Sequence, residues 1–204
     1  VDKQRLDGHP LATNICIAVL AAGQARRFGA SKLLQPHDDR PLLHHALAAA
    51  TDALPGNVYL VTGHDAPTIA KSSSGFGYRQ IFNPDFESGI GTSIAAAANH
   101  CADVADALII ALADQPKVNA SHLTMLASTW SGDSEQIVAT EFSVTTGPPV
   151  LFGSAYFAEL AKLDGDQGAK EVLRSNAQAV VAVRFEAASI DIDTPADLDA
   201  LDSF

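Results

Sequence analysis

Residues 15–32, ICIAVLAAGQARRFGASK, decide how this chain folds. The stretch opens on an unbroken apolar run with β-branched members, Ile15 to Leu20, bounded by Asn14 and Gly23. That is the composition of a parallel strand buried on both faces. The strand runs straight into a loop of small residues with two glycines, where backbone N–H groups can approach an anion closely. Three of the 13 basic residues, Arg26, Arg27 and Lys32, fall within seven positions here. In a chain of formal net charge −11, such a cluster points to a polyphosphate held by cations and amides. On spacing alone, an ordinary strand-to-helix loop with surface arginines is the alternative. Five residues separate Gly23 from Gly29 and no Lys-Ser/Thr follows, so the loop is not a Walker A sequence. GxGxxG is also missing, which argues against a nicotinamide-dinucleotide loop.

Outward from this stretch, strand and helix signals alternate. Residues 41–53 predict a helix with Pro41 in its first turn and Pro55-Gly56 as its stop. Val58–Thr62 predicts a strand, 67–72 a helix, Tyr78–Phe82 a short strand and Gly89–Cys101 a helix of small residues. Ala107–Ala113 is a strongly apolar strand. Residues 119–130, 154–162 and 168–176 predict helices, and 136–140, 149–152 and 180–183 strands. Thr194 caps a last helix, with Pro195 in its first turn. This order implies an α/β fold, a mostly parallel sheet with helices on both faces. One domain over 15–204, preceded by a loose arm over 1–14, suits the length. In such sheets ligands bind beyond the carboxyl ends of the strands. Leu20, Thr62, Phe82 and Ala113 therefore mark the places where chemistry belongs.

Composition excludes several classes. With 24 acidic against 13 basic residues the chain lacks the basic face that nucleic acid or an anionic membrane surface requires. No apolar run reaches the ~18 residues of a membrane span. The first fourteen residues carry charge and no apolar signal core, so a cytoplasmic location is expected. Cys16 and Cys101 sit in apolar surroundings and are expected to be inert buried thiols. The seven histidines form no HExxH or HxH pattern, and no GxSxG elbow suggests a serine hydrolase. His9, His37, His100 and His122 are expected at the surface, while His64, after Gly63, could line a cleft.

Leu20–Lys32 (LAAGQARRFGASK) resembles the LAAGxSxRxGxxK signature of the MobA-like nucleotidyltransferases, particularly the branch containing molybdenum cofactor cytidylyltransferase. Further segments agree in order: VTGH at 61–64, Asn83-Pro84 with GIGTS at 89–93, LADQP at 112–116, GPPVLF at 147–152, LDGDQGA at 163–169 and DIDTPADL at 191–198. The resemblance implies a three-layer αβα Rossmann-like nucleotidyltransferase fold. It implies transfer of CMP from CTP to molybdopterin with release of pyrophosphate. A transferase using ATP or GTP with another phosphorylated acceptor is the alternative, as is a non-catalytic molybdopterin- or nucleotide-binding protein. A molybdoenzyme or its chaperone is the implied partner.

The resemblance also assigns residues. Leu20, Ala21, Ala22, Gly23, Arg27, Gly29 and Lys32 would hold the nucleotide, joined by Gly63, Asn83, Gly89 and Ser93. Arg27, Lys32 and Asp114 would be catalytic. Gly147, Pro149, Asp166 and Gly168 would face the acceptor. Asp114 and Asp193 would hold Mg²⁺, a hard cation suited to carboxylate and phosphate oxygens. Asp114 follows the most apolar strand, where an unpaired charge is costly and a metal would relieve it; a helix or turn cap is the other reading. Asp191, two residues before Asp193, shares its face if the segment is extended. Both also lie in a C-terminal stretch, 185–204, with six acids and no base. Ser93 is either a nucleotide contact or a local cap, and Asp166 either an acceptor contact or a helix cap. Ala25 stands where the family often has Ser, and Pro148 where it has His or Asn.

Overall fold

In the computed structural model, which describes residues 14–23 and 31–201, the opening apolar run becomes β1 (Ile15–Ala21), inside a seven-stranded sheet. Across the sheet lie β5 (Arg79–Phe82), β4 (Val58–Thr62), β1, β6 (Ala107–Leu112), β8 (Thr145–Gly153), β7 (Ile137–Phe142) and β9 (Val180–Arg184), in that order. The β5–β4, β4–β1, β1–β6 and β7–β9 pairs are parallel; β8 runs antiparallel to both β6 and β7. A mostly parallel α/β sheet is thus what the alternating signals expected.

The alternation within β1 explains the layers. Cys16, Ala18 and Leu20 point to one side, where they join a cluster with α3 (Ile90–Cys101), α5 (Phe157–Leu160) and α6 (Lys170–Ser175). Ile17, Val19 and Ala21 point to the other, against α1 (Leu42–Ala53), α2 (Ala66–Ser72) and α4 (Ala120–Thr129). Successive side chains of a strand face opposite ways, so a strand apolar at every position needs a helical layer on each face. Ile17, Leu47, Leu60, Ile109 and Leu126 are fully buried, each contributing roughly 1.5–3 kcal/mol. α7 (Pro195–Ala200) closes the described chain, with Ile192, Leu42 and Leu201 in a small third cluster.

Several expectations need correction. Pro41 precedes α1 rather than opening it, because residues 36–41 form a hairpin of β2 (Pro36–His37) and β3 (Arg40–Pro41). Its turn residues, Asp38 and Asp39, both take positive φ (49° and 62°), as a tight two-residue hairpin demands. The helices expected over 154–162 and 168–176 are shorter, four and six residues as α5 and α6. His37 and His122 are buried, not at the surface. His122 lies flat against Phe185, ring centroids 4.2 Å apart, with Nε2 2.8 Å from Thr140 Oγ1. His37 caps the buried ring of His45, whose Nε2 meets the His37 carbonyl at 2.9 Å. His100 is exposed, as expected. Cys16 and Cys101 are buried together, and contact with Cys16 together with burial pushes the Cys101 thiol up, leaving it protonated. The arm over 1–13 lies outside the described residues, as do Arg26, Arg27 and Gly29. No helix among the described residues is long and apolar enough to cross a membrane.

Candidate active site

A cavity of about 710 Å³ opens beyond the carboxyl ends of β1, β4 and β6. That is the edge at which parallel strands present their loops to ligands. Leu20, Ala21, Ala22 and Gly23 form its floor. This floor is tied on both sides: the Ala113 N–H donates to the Leu20 carbonyl (3.1 Å), and the His64 N–H to that of Ala22 (3.2 Å). A Cβ added at Gly23, itself exposed, would meet none of the described residues within 4 Å.

Lys32 crosses the cavity toward two carboxylates. Its Nζ lies 2.8 Å from Asp114 Oδ2 and 3.3 Å from Asp193 Oδ1. Lys32 opens a 3-10 turn (Lys32–Leu34) and its side chain is 13% exposed; Asp114 follows β6. Burial works against the Lys32 charge, but the charges of Asp114 and Asp193 outweigh it and raise the ammonium's pKa. Asp114 is thus neither an orphan nor a cap: Lys32 relieves the cost of placing it at the end of an apolar strand.

Two locks hold the carboxylates in position. The Ile192 N–H donates to the Asp114 carbonyl (3.1 Å), pinning the C-terminal segment to the end of β6. Thr194 caps α7 in a reciprocal box with Asp197, and Asp197 Oδ2 also accepts the Asp193 N–H at 3.0 Å. Hydrogen bonds from Thr194 and the Asp193 backbone hold the Asp197 carboxyl below its usual range. Asp197 is therefore a brace for Asp193. Asp191 completes the acidic group: burial, then the charge of Asp114, then that of Asp193 push its carboxyl up, while Gln115 and Lys32 act the other way. Gln115 itself is buried and donates from Nε2 to the Ala188 carbonyl (2.9 Å), fastening the same segment.

The opposite wall comes from the loops after β4 and β5. Ser93 lines the cavity from the first turns of α3; it does not cap the helix, and its Oγ accepts from Asn83 Nδ2 at 3.0 Å. Asn83 is buried, with Nδ2 also donating to Thr92 Oγ1 (2.9 Å) and Oδ1 accepting the Asp85 N–H (3.0 Å). Its amide shapes the loop and supports the wall. Gly63 is buried too: a Cβ there would lie 2.5 Å from that of Phe86, so its smallness lets the Phe86 ring reach the wall. Gly89, at φ 121°, and Asp166 both line the cavity, and a Cβ on Gly89 would lie 2.3 Å from the Gly165 carbonyl oxygen. Gly89 is needed for this close approach.

Three residues assigned to an acceptor do not line the cavity. Gly147 packs against the Phe142 ring, and the Pro149 carbonyl accepts from Thr140 Oγ1 (2.7 Å), both within the β7–β8 pair. Gly168 is likewise absent from the lining; a Cβ added there would lie 3.9 Å from Ile90 Cγ2. Conversely, His64, Asp65, Ile69, Phe86, Glu87 and Ile90 line the cavity, and apart from His64 sequence reasoning passed over them. Position after a strand end could have drawn attention to Asp65, which takes a left-handed φ of 55° before α2. Nothing local marks Phe86 or Ile69.

No group of three or more metal-binding side chains stands among the described residues. Asp114 and Asp193 nevertheless aim two hard oxygen donors at one point, already occupied by a cation. A divalent ion such as Mg²⁺ commonly takes one or two carboxylates and completes its shell with substrate phosphates and water. The donor set fits that arrangement.

Residues 17–180 match the MobA-like NTP transferase domain. The chain is 30% identical over 196 residues to the purine catabolism protein PucB of Bacillus subtilis (strain 168), covering 88% of this chain and 92% of that protein. Among solved structures it is similar to Rv0371c from Mycobacterium tuberculosis H37Rv, with a TM-score of 0.83 and 27% identity over 95% of this chain and 100% of that one. A complex of Rv0371c with manganese superposes with a TM-score of 0.74 at 26% identity, over 93% of this chain and 98% of that one. The chain belongs to the MobA-like NTP transferase family, and its sheet and helices are those of a nucleotidyltransferase.

Proposed function

We propose that this member of the MobA-like NTP transferase family transfers CMP from CTP to the terminal phosphate of molybdopterin, with Mg²⁺ as its metal and pyrophosphate as the second product. One observation carries the reading: Lys32 and Asp114 line a cavity floored by the backbone of Leu20 to Gly23, and Asp193 pairs with the same Lys32 ammonium. The choice of CTP and molybdopterin rests on the resemblance of the Arg-Arg-Phe-Gly, GPPVLF and GDQGA segments.

In the reaction an acceptor phosphate oxygen attacks the α-phosphorus, and the bond to the β-phosphate oxygen breaks. The acceptor is already an oxyanion at neutral pH, so no side chain need act as its base. Catalysis then consists of positioning and of stabilising charge on the phosphoryl oxygens. The floor from Ala22 to Gly23 lets the triphosphate lie against backbone. Asp114 and Asp193 would hold Mg²⁺, which neutralises phosphate charge when bound. Lys32 turns its ammonium to the α- or β-phosphate, while Phe86, Ile69 and Ile90 keep water from one side. Arg27, outside the described residues, is assigned to the leaving pyrophosphate.

A second reading keeps the chemistry but uses ATP or GTP and another phosphorylated acceptor. The positions of Gly147 and Pro149, away from the cavity, favour it, because those segments were the ones that pointed to molybdopterin. Pyrophosphate release from CTP, GTP and ATP, with and without molybdopterin and Mg²⁺, separates the two. Release that needs CTP, molybdopterin and Mg²⁺ together supports the proposal, and Lys32→Ala should then lower kcat at least about 100-fold. Release from another nucleotide, or with a different acceptor, establishes the second reading. No release under any combination makes the protein a binding protein.

A further inference from the structure

We infer that Lys32 is a resident cation that stands in the metal's place until a nucleotide arrives, so that metal and NTP can load only together. The inference rests on the nucleotidyltransferase reading of the same cavity. Asp114 lines that cavity, and Asp193 joins it at the Lys32 ammonium. Among the described residues Lys32 alone forms ion pairs with either of them. Its Nζ lies 2.8 Å from Oδ2 of Asp114 and 3.3 Å from Oδ1 of Asp193, one oxygen of each carboxylate. A Mg²⁺ ion binds such oxygens at roughly 2.0–2.1 Å. It could not do so with an ammonium between them. The metal and the lysine in this position therefore exclude each other.

The carboxylates do not depend on Lys32 for their placement. Asp114 is held by β6 and the Ile192 N–H, and Asp193 by the Asp197 brace. Withdrawing the ammonium thus leaves a formed pair of oxygen donors, not a collapsed loop. A triphosphate on the Ala22–Gly23 floor gives Lys32 new oxygens to bind on the other side of the cavity. The nucleotide then does two things at once: it removes the competing cation and supplies the remaining metal ligands. Free metal, by contrast, meets an occupied site. Coupling of this kind is reciprocal, so metal and nucleotide each tighten the binding of the other.

The test measures Mn²⁺ binding to the full chain without nucleotide, by the loss of the free Mn²⁺ signal in electron paramagnetic resonance. Lys32→Met and Lys32→Gln remove the charge; Lys32→Arg keeps it. The neutral variants should bind Mn²⁺ about 5- to 150-fold more tightly than the native chain, the usual range for coupled sites. Lys32→Arg should bind as weakly as the native chain. Adding Asp114→Asn to Lys32→Met should abolish the gain. Thermal melting identifies any variant that fails to fold, and two neutral replacements guard against that loss. Unchanged or weaker Mn²⁺ binding in the folded neutral variants overturns the inference, as does an equal gain in Lys32→Arg. Pyrophosphate release is scored separately: an active native enzyme with no gain in Lys32→Met refutes the placeholder and leaves the transferase standing.

Discussion

The buried histidine behind the sheet makes the sharpest stability prediction. His122 Nε2 lies 2.8 Å from Thr140 Oγ1, and that hydroxyl gives its own proton to the Pro149 carbonyl at 2.7 Å. Thr140 has one proton, so the imidazole must be the donor, through Nε2–H. The ring is 5% exposed and stacked on Phe185, with no carboxylate paired to it. Burial therefore lowers its pKa from 6.5 to about 4. Because the folded value is depressed, the unfolded chain takes up this proton first as pH falls. Stability contributed by the neutral ring is present above pH 6.5 and is lost as pH drops toward 4. Integrating from pH 7.5 to 5 gives a loss of about 2 kcal/mol from this residue. Urea denaturation of the native chain and His122→Gln at both pH values measures it. Gln can still donate to Thr140 but cannot titrate, so the variant should lose about 2 kcal/mol less than the native chain over this interval. Parallel pH dependences would refute the reasoning and mean that the folded chain protonates His122 without penalty.

Two glycines on the cavity should respond in opposite ways. Gly89→Ala puts a methyl 2.3 Å from the Gly165 carbonyl oxygen at a φ of 121°, and should cost about 1–3 kcal/mol in denaturant unfolding. Gly23→Ala has open space around it and should leave stability within about 0.5 kcal/mol while raising KM for the nucleotide; an unchanged KM would mean that no phosphate approaches that peptide. Thr194→Ala removes the cap of α7 and should cost about 1 kcal/mol in urea unfolding, and a variant as stable as the native chain would show that this helix unfolds separately from the rest.

The sheet was legible because its strands are short, apolar and separated by clear stops. β1 and β6 have no polar position to confuse the period, β4 has Thr62 only at its end, and Pro55-Gly56 ends α1 where expected. The β2–β3 hairpin was not, since each strand is two residues long and the Asp38-Asp39 turn lacks the usual glycine. The acidic pair was legible through its motifs, but its partner contact was not. Lys32 was assigned to phosphate, and only the fold puts it between carboxylates 82 and 161 residues away. Asn83 and Gly63 were placed in the right loops, and the fold adds that both shape the wall, Asn83 through its hydrogen bonds and Gly63 by making room for Phe86. Residue type marks both as loop-forming, while the choice between touching a ligand and shaping a wall depends on where the side chain is spent. His37 and His122 were misplaced for a related reason. His122 finds its partner in Thr140, 18 residues away, and the His37 ring packs 5.2 Å from that of His45 with Asp38 Oδ2 at 3.3 Å, so only the folded neighbourhood shows that either ring is buried.

The same geometry accounts for how a strongly acidic chain can be built to hold polyanions. Asp65, Glu87, Asp114 and Asp166 line the cavity, against Lys32 as the basic side chain among the described lining residues. Among the described residues the groups near its floor are backbone N–H groups, the Lys32 ammonium and the carboxylates of Asp114 and Asp193 that pair with it. The chain closes this arrangement late, since Asp193 reaches the end of β6 only after β8 has reversed direction and β9 has paired with β7. Ile192 then seals the approach, buried against Leu42 on one side and hydrogen-bonded to the Asp114 carbonyl on the other. The Asp114–Asp193 pair is therefore a property of the finished fold. An error in the register of this last segment would move Asp193 from Lys32 and leave Asp114 as a lone half-buried carboxylate.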